Sequence, residues 1–267
     1  MNFNSNVIKL HFGLEKPIRI LHITDAHLSL ADDVDGDEMK AHAAKRRKTF
    51  FNEAYAPERD PVGYLEEAME YSKDFDCTVI TGDLLDFTSH ANREIAKKIL
   101  AGKDYMFCPG SHEFCPKVGV PDSWETKDRV FDEIQALFRG NMTFESRIVG
   151  GVNVITMDNS YYTWTEEQFE KLKFEVSRGL PCLIFCHSPL TNVGLNHELV
   201  SVNPNLILTD EVKTLTYKMT DYIVTEPMIK AVFSGHWHAN RTEQIGEKTG
   251  YILGSLVKGI VGEIVVV

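Results

Sequence analysis

A chain of 267 residues, 43% hydrophobic and 25% charged, can bury a sizeable core and has the balance of an ordinary globular protein. Its net charge of −11 argues against non-specific binding to nucleic acid or an anionic membrane, although bound divalent cations would reverse the sign locally and admit a phosphate ester. No apolar run approaches the roughly 18 residues of a membrane-spanning helix.

The start, MNFNSNVIKLHFG, lacks the basic opening and long apolar centre of a signal peptide. Cys77, Cys108, Cys115, Cys182 and Cys186 cannot all pair, and none of their spacings is C-x-x-C. A reduced, cytoplasmic protein without a zinc knuckle is the expectation.

Val7–Phe12 and Ile18–Thr24 read as the first two strands, separated by a turn with Gly13 and Pro17. His22 lies within the second strand and is expected to be a packed core residue. Asp25 and His27 fall where that strand stops. Spaced i, i+2 in extended backbone, they would point the same way and could hold one divalent ion. A charged insertion follows over 31–60. Its acidic run, Asp32 to Asp37, resembles a calcium loop, but Gly36 comes too early and Ala44 stands where the twelfth-position glutamate belongs, so an EF-hand is rejected. The segment Glu38–Phe51 is helix-like and carries Lys45-Arg46-Arg47-Lys48. It reads either as a solvated helix face or as a lid presenting cations to a substrate.

Asp60-Pro61 starts the next helix, an N-cap acceptor followed by proline in the first turn. The strand from Cys77 runs into Gly82-Asp83-Leu84-Leu85-Asp86. A helix over Arg93–Leu100 and a strand at Tyr105–Cys108 follow, the latter delivering Gly110-Ser111-His112-Glu113. Short connections in this β-α-β rhythm imply parallel strands with helices outside them. After a helix over Trp124–Phe138, Met142–Val149 and Val152–Met157 form a hairpin in a second sheet. Thr165–Arg178 is the best-marked helix, with a Thr165/Gln168 capping box, a Trp164/Phe169 staple and Gly179 beyond its end. Pro181–Cys186 delivers His187. Residues 191–224 read as loops with one short helix near Asp210–Tyr217, Ala231–Ser234 delivers Gly235-His236-Trp237-His238, and Thr249–Val267 reads as hairpin strands closing a sheet. One domain spanning 1–267 is the economical reading. Trp237, Tyr161 and Tyr162 could stack on a base, but packing is the more ordinary use of such rings.

Asp25, His27, Asp83, Asp86, His112, His187, His236 and His238 therefore gather at strand ends, where α/β proteins bind ligands. Such carboxylates and imidazoles suit two borderline cations, Mn, Fe, Zn, Co or Ni. Asp83, the most central, is the natural bridge across the roughly 3.5–4 Å that separates paired metals. His112 suits proton donation to a departing alkoxide, with Asp86 holding its other nitrogen.

This set resembles the calcineurin-like metallophosphoesterase superfamily, whose order D-x-H, GDxxD, GNH[DE], His and GHxH is matched from Asp25 to His238. The resemblance implies a four-layer αββα sandwich, two facing mixed sheets flanked by helices, with a dimetal site at their common edge. It also implies that one metal takes Asp25, His27, Asp83 and His238, and the other Asp83, Ser111, His187 and His236. His112, oriented by Asp86, becomes the general acid or a phosphate-binding group. Ser111 departs from the family's asparagine. A shorter hydroxyl is a weaker ligand, so the second metal is expected to bind more weakly. Phe87-Thr88 replaces the Arg-Gly of the protein serine/threonine phosphatase branch. The implied activity is hydrolysis of a small soluble phosphodiester or phosphomonoester. The alternative is a non-catalytic or single-metal scaffold of the same fold that binds a protein partner.

Overall fold

Hydrophobic residues recur with a period of two along the central strands, and each alternate set finds a different core. In the computed structural model, which describes residues 3–50, 61–199 and 206–267, strand β2 (Ile18–Ile23) turns Ile18, Ile20 and His22 one way and Leu21 and Ile23 the other. Strand β3 (Cys77–Thr81) divides Cys77 and Val79 from Ile80 in the same manner. In the second sheet, β6 (Val152–Met157) separates Val152 and Val154 from Ile155 and Met157, and β7 (Cys182–Phe185) separates Leu183 and Phe185 from Cys182 and Ile184. One set from each sheet meets between them, with Phe185 and Phe233 stacked at 4.8 Å. The other sets meet helices, giving two mixed sheets flanked by helices as four layers.

The first sheet has the order β1 (Asn4–Leu10), β11 (Ile260–Val266), β2, β3, β4 (Met106–Cys108). The second has β5 (Phe144–Val149), β6, β7, β8 (Ile229–Ser234), β10 (Lys248–Ile252), β9 (Arg241–Ile245). β2, β3 and β4 are mutually parallel, as are β6, β7 and β8. Their carboxyl ends consequently reach one shared edge. The expected β5–β6 hairpin is present and antiparallel.

The first two strands are not neighbours: β11 inserts between them, parallel to β1 and antiparallel to β2. Two expectations are corrected. The carboxyl-terminal strands do not close one sheet: β10 pairs with β8 and β9 in the second sheet, and β11 crosses to the first. The short helix near 210 is α6 (Asp210–Thr225), carried on by Met219, Thr220 and Ile223, which bury one face. β9, whose RTEQI is polar and largely exposed apart from the buried Ile245, carries no apolar alternation that would mark it as a strand.

The other helices are α1 (Gly36–Phe50), α2 (Pro61–Tyr71), α3 (His90–Leu100), α4 (Trp124–Gln135) and α5 (Glu166–Ser177). The N-cap expected at Asp60 lies outside the described residues. α3 starts three residues earlier than expected, where the Ser89 hydroxyl accepts from the Asn92 amide. α5 has the expected capping box between Thr165 and Gln168. The acidic loop before α1 serves as a brace: Asp35 accepts from the His90 and Ala91 amides at the start of α3. All five cysteines are buried and free. Among the described residues, no helix is long and apolar enough to cross a membrane.

Candidate dimetal site

Each functional side chain leaves the end of a strand on a short loop. Asp25 and His27 follow β2, Asp83 and Asp86 follow β3, Ser111 and His112 follow β4, His187 follows β7, and His236 and His238 follow β8. The loops after β2 and β3 are laced together by their backbones. The Asp25 amide donates to the Gly82 carbonyl, His27 to Asp83 and Leu28 to Leu84, while Asp86 donates back to Leu28. Extended backbone is not what aims the ligand pairs, contrary to the expectation from their spacing. Asp25, His27, Asp83, His236 and His238 all adopt left-handed φ, between 47° and 71°. Such backbone is costly for residues with a Cβ and collects at functional sites.

Glu113 secures this geometry. Its fully buried carboxylate accepts from the amides of Asp83, Leu84, Leu85 and Gly110, at 2.7–3.0 Å. Burial and the charge of Asp83 push Glu113 up to about 7, against the pull of those amides. The turn at Ser255 braces the other side, its hydroxyl donating to the Asp25 carbonyl, and Lys258 Nζ donates to the His238 carbonyl. The GSHE motif could have pointed to Glu113 as a brace. Nothing local marks Ser255 or Lys258.

The predicted residues converge into three sets, the ligand atoms within each lying within 4.8 Å of one another: Asp25–His27–His238, Asp83–His187–His236 and His27–Asp86–His112. Asp83 stands between the first two, its Oδ2 at 3.2 Å from His187 Nε2 and 3.9 Å from His27 Nε2. His27 and His238 bring their Nε2 atoms to 3.0 Å of each other. Ser111 is partly buried and opens the turn Ser111–Phe114. Its neighbours touch the second set: the His112 amide donates to Asp83 Oδ1, and a Cβ on Gly110 would fall 2.1 Å from that oxygen and 2.8 Å from His187 Nε2.

Electrostatics follow from buried carboxylates beside buried rings. Burial opposes the charge on Asp25 and Asp83, yet the surrounding imidazoles hold both well below the usual carboxylate range. Burial is the largest influence on His187 and His112 and opposes their protonation, but the nearby carboxylates together overcome it, Asp83 and Asp25 at His187 and Asp83 and Asp86 at His112, so the two are pushed up to about 9 and about 10. His236 goes the other way, to about 4, through burial and the nearby His187. His22 is a core residue, as expected. It is bonded to Thr81 Oγ1 at 2.8 Å, packed edge-on against Phe185, and lowered to about 3 by burial.

Asp86 differs in detail from its expected part. His112 Nδ1 donates to the Asp86 backbone carbonyl at 2.7 Å, and the carboxylate stands farther off at 3.4 Å. That carboxylate receives His27 Nδ1, the Ser29 hydroxyl and, through two contacts of 2.7 Å, the guanidinium of Arg46. Of the run Lys45–Lys48, Arg46 alone turns inward; Lys45, Arg47 and Lys48 are exposed. Tyr161 and Tyr162 are buried in the core, and Trp237 is exposed beside the Arg241 guanidinium.

Comparison with known proteins agrees with this arrangement. Residues 18–240 match the family model described as calcineurin-like phosphoesterase. A probable cyclic nucleotide phosphodiesterase of Fibrobacter succinogenes is 24% identical over 253 residues, covering 90% of this chain and 80% of that protein. A dimetal phosphatase from Danio rerio superposes with a TM-score of 0.52 at 11% identity, over 91% of this chain and 89% of that one. Purple acid phosphatase PPD1 from yellow lupin seeds gives 0.53 at 11% identity, over 89% of this chain and 44% of that one. The structural likenesses, at such identity, establish the fold alone. The family model spans most of the sequence, and it does so across the very loops that meet at the sheet edge: the chain belongs to the calcineurin-like phosphoesterase family.

Proposed function

We propose that the protein hydrolyses a small soluble phosphodiester, with two divalent cations held by Asp25, His27, Asp83 and His238 on one side and by Asp83, Ser111, His187 and His236 on the other. The observation that carries this reading is the position of Asp83 between two sets of carboxylate and imidazole groups. The donor atoms fit cations. Asp25 Oδ1 and His187 Nε2 are buried without a hydrogen-bond partner, although each lies within 3.2 Å of an oppositely polar neighbour. Short contacts that are not aligned as hydrogen bonds suit atoms directed at a shared ion. His27 donates Nδ1 to Asp86, which leaves Nε2 as its ligand atom. Two bound cations would withdraw charge from the phosphoryl oxygens and make water nucleophilic near neutral pH.

The chain's own residues complete the reaction. With Nδ1 committed to the Asp86 carbonyl, His112 has Nε2 left to give a proton to the departing ester oxygen as the phosphorus–oxygen bond breaks. Asp83 and Asp86 keep that proton on the ring at neutral pH. Cations beside Asp83 would bring the value down toward the working range. The name of the Fibrobacter relative makes a cyclic nucleotide the first diester to try.

The deciding experiment is elemental analysis of the purified protein. Hydrolysis of a chromogenic phosphodiester, the matching monoester and a cyclic nucleotide would then be assayed with Mn, Fe, Co, Ni or Zn. Metal-dependent turnover supports the reading. No turnover with any of them overturns it in favour of a scaffold that binds a protein partner.

Two further outcomes are expected. The serine hydroxyl at 111 is shorter than the family's asparagine, so Ser111→Asn should tighten the weaker metal site by about tenfold or more (~1.4 kcal/mol), as read by metal titration. Two equally tight sites in the natural protein would contradict this. The second outcome concerns pH. A raised His187 contributes stability to the metal-free protein that is full below its ordinary 6.5 and lost as pH rises through about 9. Metal requires the neutral ring, so loading at pH 7 displaces that proton. Affinity of the Asp83–His187–His236 set should therefore climb up to about tenfold per pH unit between roughly 6.5 and 9. Calorimetry in buffers of different ionisation heat should show proton release, and release of none at pH 7 would refute the account.

A further inference from the structure

Among its described residues, the charged insertion reaches the site through the Arg46 side chain. α1, in which Ala43 is buried, meets the loop after β3 through His42, whose ring packs edge-on to Phe87 at 5.1 Å, and through Arg46. Residues 42 and 46 are i, i+4 and 43 and 46 are i, i+3, so the three share one helix face. The outer end is held by the Lys117–Glu38 ion pair. Arg46 Nε reaches Asp86 Oδ2 and its Nη2 reaches Oδ1, both at 2.7 Å, with the Arg46 side chain 17% exposed and the carboxylate wholly buried.

That fork matters because of what else depends on Asp86. Oδ1 also accepts from His27 Nδ1 at 3.1 Å, and Oδ2 from the Ser29 hydroxyl at 3.0 Å. The same residue holds His112 by its carbonyl. Asp86 also belongs, with His27 and His112, to the third set of groups close enough to surround a cation. A carboxylate gripped on both oxygens by a planar guanidinium cannot rotate to become a metal ligand, and a bidentate pair has a single geometry.

The geometry points to Arg46 as a positioning residue of the phosphoesterase reaction: delivered by the insertion helix, it locks the Asp86 carboxylate as the acceptor for His27 and keeps it out of the metal coordination. The inference rests on the reading under Proposed function. Arg46 acts through Asp86 and is not assigned to the reacting atoms. Its consequence is that the helical insertion is part of the catalytic unit, since the orientation of a metal-facing imidazole depends on it.

The test is a double-mutant cycle of Arg46→Ala and Asp86→Asn, with Arg46→Lys as the conservative variant. Arg46→Ala should lower kcat by about 10–100-fold, the usual cost of removing an outer partner of a metal ligand, while KM stays within about threefold. Arg46→Lys should recover only part, because one ammonium cannot bridge both oxygens as a fork. Arg46→Ala added to Asp86→Asn should cost almost nothing more. The visible spectrum of the cobalt-loaded protein should change in Arg46→Ala, reporting altered coordination without reference to turnover. A tenfold rise in KM with unchanged kcat would make Arg46 a substrate contact and overturn the inference. So would an unaltered cobalt spectrum, or additive losses in the double mutant. If the natural protein hydrolyses no phosphate ester, the proposed function fails, and the cobalt spectra of the same variants still decide the role of Arg46. Circular dichroism separates these effects from loss of fold, and if Arg46→Ala unfolds, the partial recovery and cobalt spectrum of Arg46→Lys decide.

Discussion

Gly82→Ala is expected to destabilise the protein by roughly 2–5 kcal/mol, combining left-handed backbone strain with overpacking, and to abolish metal loading. Gly82 has φ +71°, and a Cβ there would lie 2.1 Å from the Gly110 amide nitrogen and 2.5 Å from the Pro109 carbonyl carbon. These are backbone atoms of the neighbouring strand end, so no rotamer change relieves the clash. The loops after β3 and β4 must part, and with them go the Glu113 contacts to Asp83, Leu84, Leu85 and Gly110. Metal affinity should fall with stability because Asp83 is the next residue. Urea unfolding and metal analysis of the variant check both effects. A loss under about 1 kcal/mol with full metal content would show that the two loops are not packed this closely.

His112→Ala is expected to lower kcat by about 10²–10⁴ on a diester with a poor leaving group, the range for loss of a general acid or base. With a nitrophenyl leaving group, which departs without a proton, the loss should shrink to less than about tenfold. Metal content should stay as in the natural protein, since the proposed ligand sets do not include His112. The contrast between substrates separates two roles that the sequence left together. Equal losses on both would make His112 a phosphate-binding group. The alkaline limb of the pH profile offers a second check. The protein needs the protonated ring, so activity should decline as pH rises through the His112 pKa, which lies at or below about 10 once cations offset Asp83 and Asp86.

Much of this protein is written in short stretches. The strand ends carrying Asp25, Asp83, His112, His187 and His236 were legible because each follows an apolar run and stands in a family order, and local patterns of this kind depend only on nearby residues. The capping box of α5 was legible for the same reason. Partners far apart in sequence were not. β11 slips between β1 and β2, and α6 extends past its polar start, because each buries a face against elements tens of residues away. The left-handed turns that aim Asp25 and His27 are held by carbonyls of the loop after β3 and by Ser255, contacts no local spacing encodes. Arg46 shows the division most sharply. Its sequence marks a basic helix face, equally suited to water or to a lid. Only the packing of α1 on Phe87 brings its guanidinium to a buried carboxylate that otherwise has His27 and the Ser29 hydroxyl as its hydrogen-bond partners. The sequence by itself determined which chemistry is present and in what order; the tertiary structure decided which groups touch, because packing and charge pairing act through space and not along the chain.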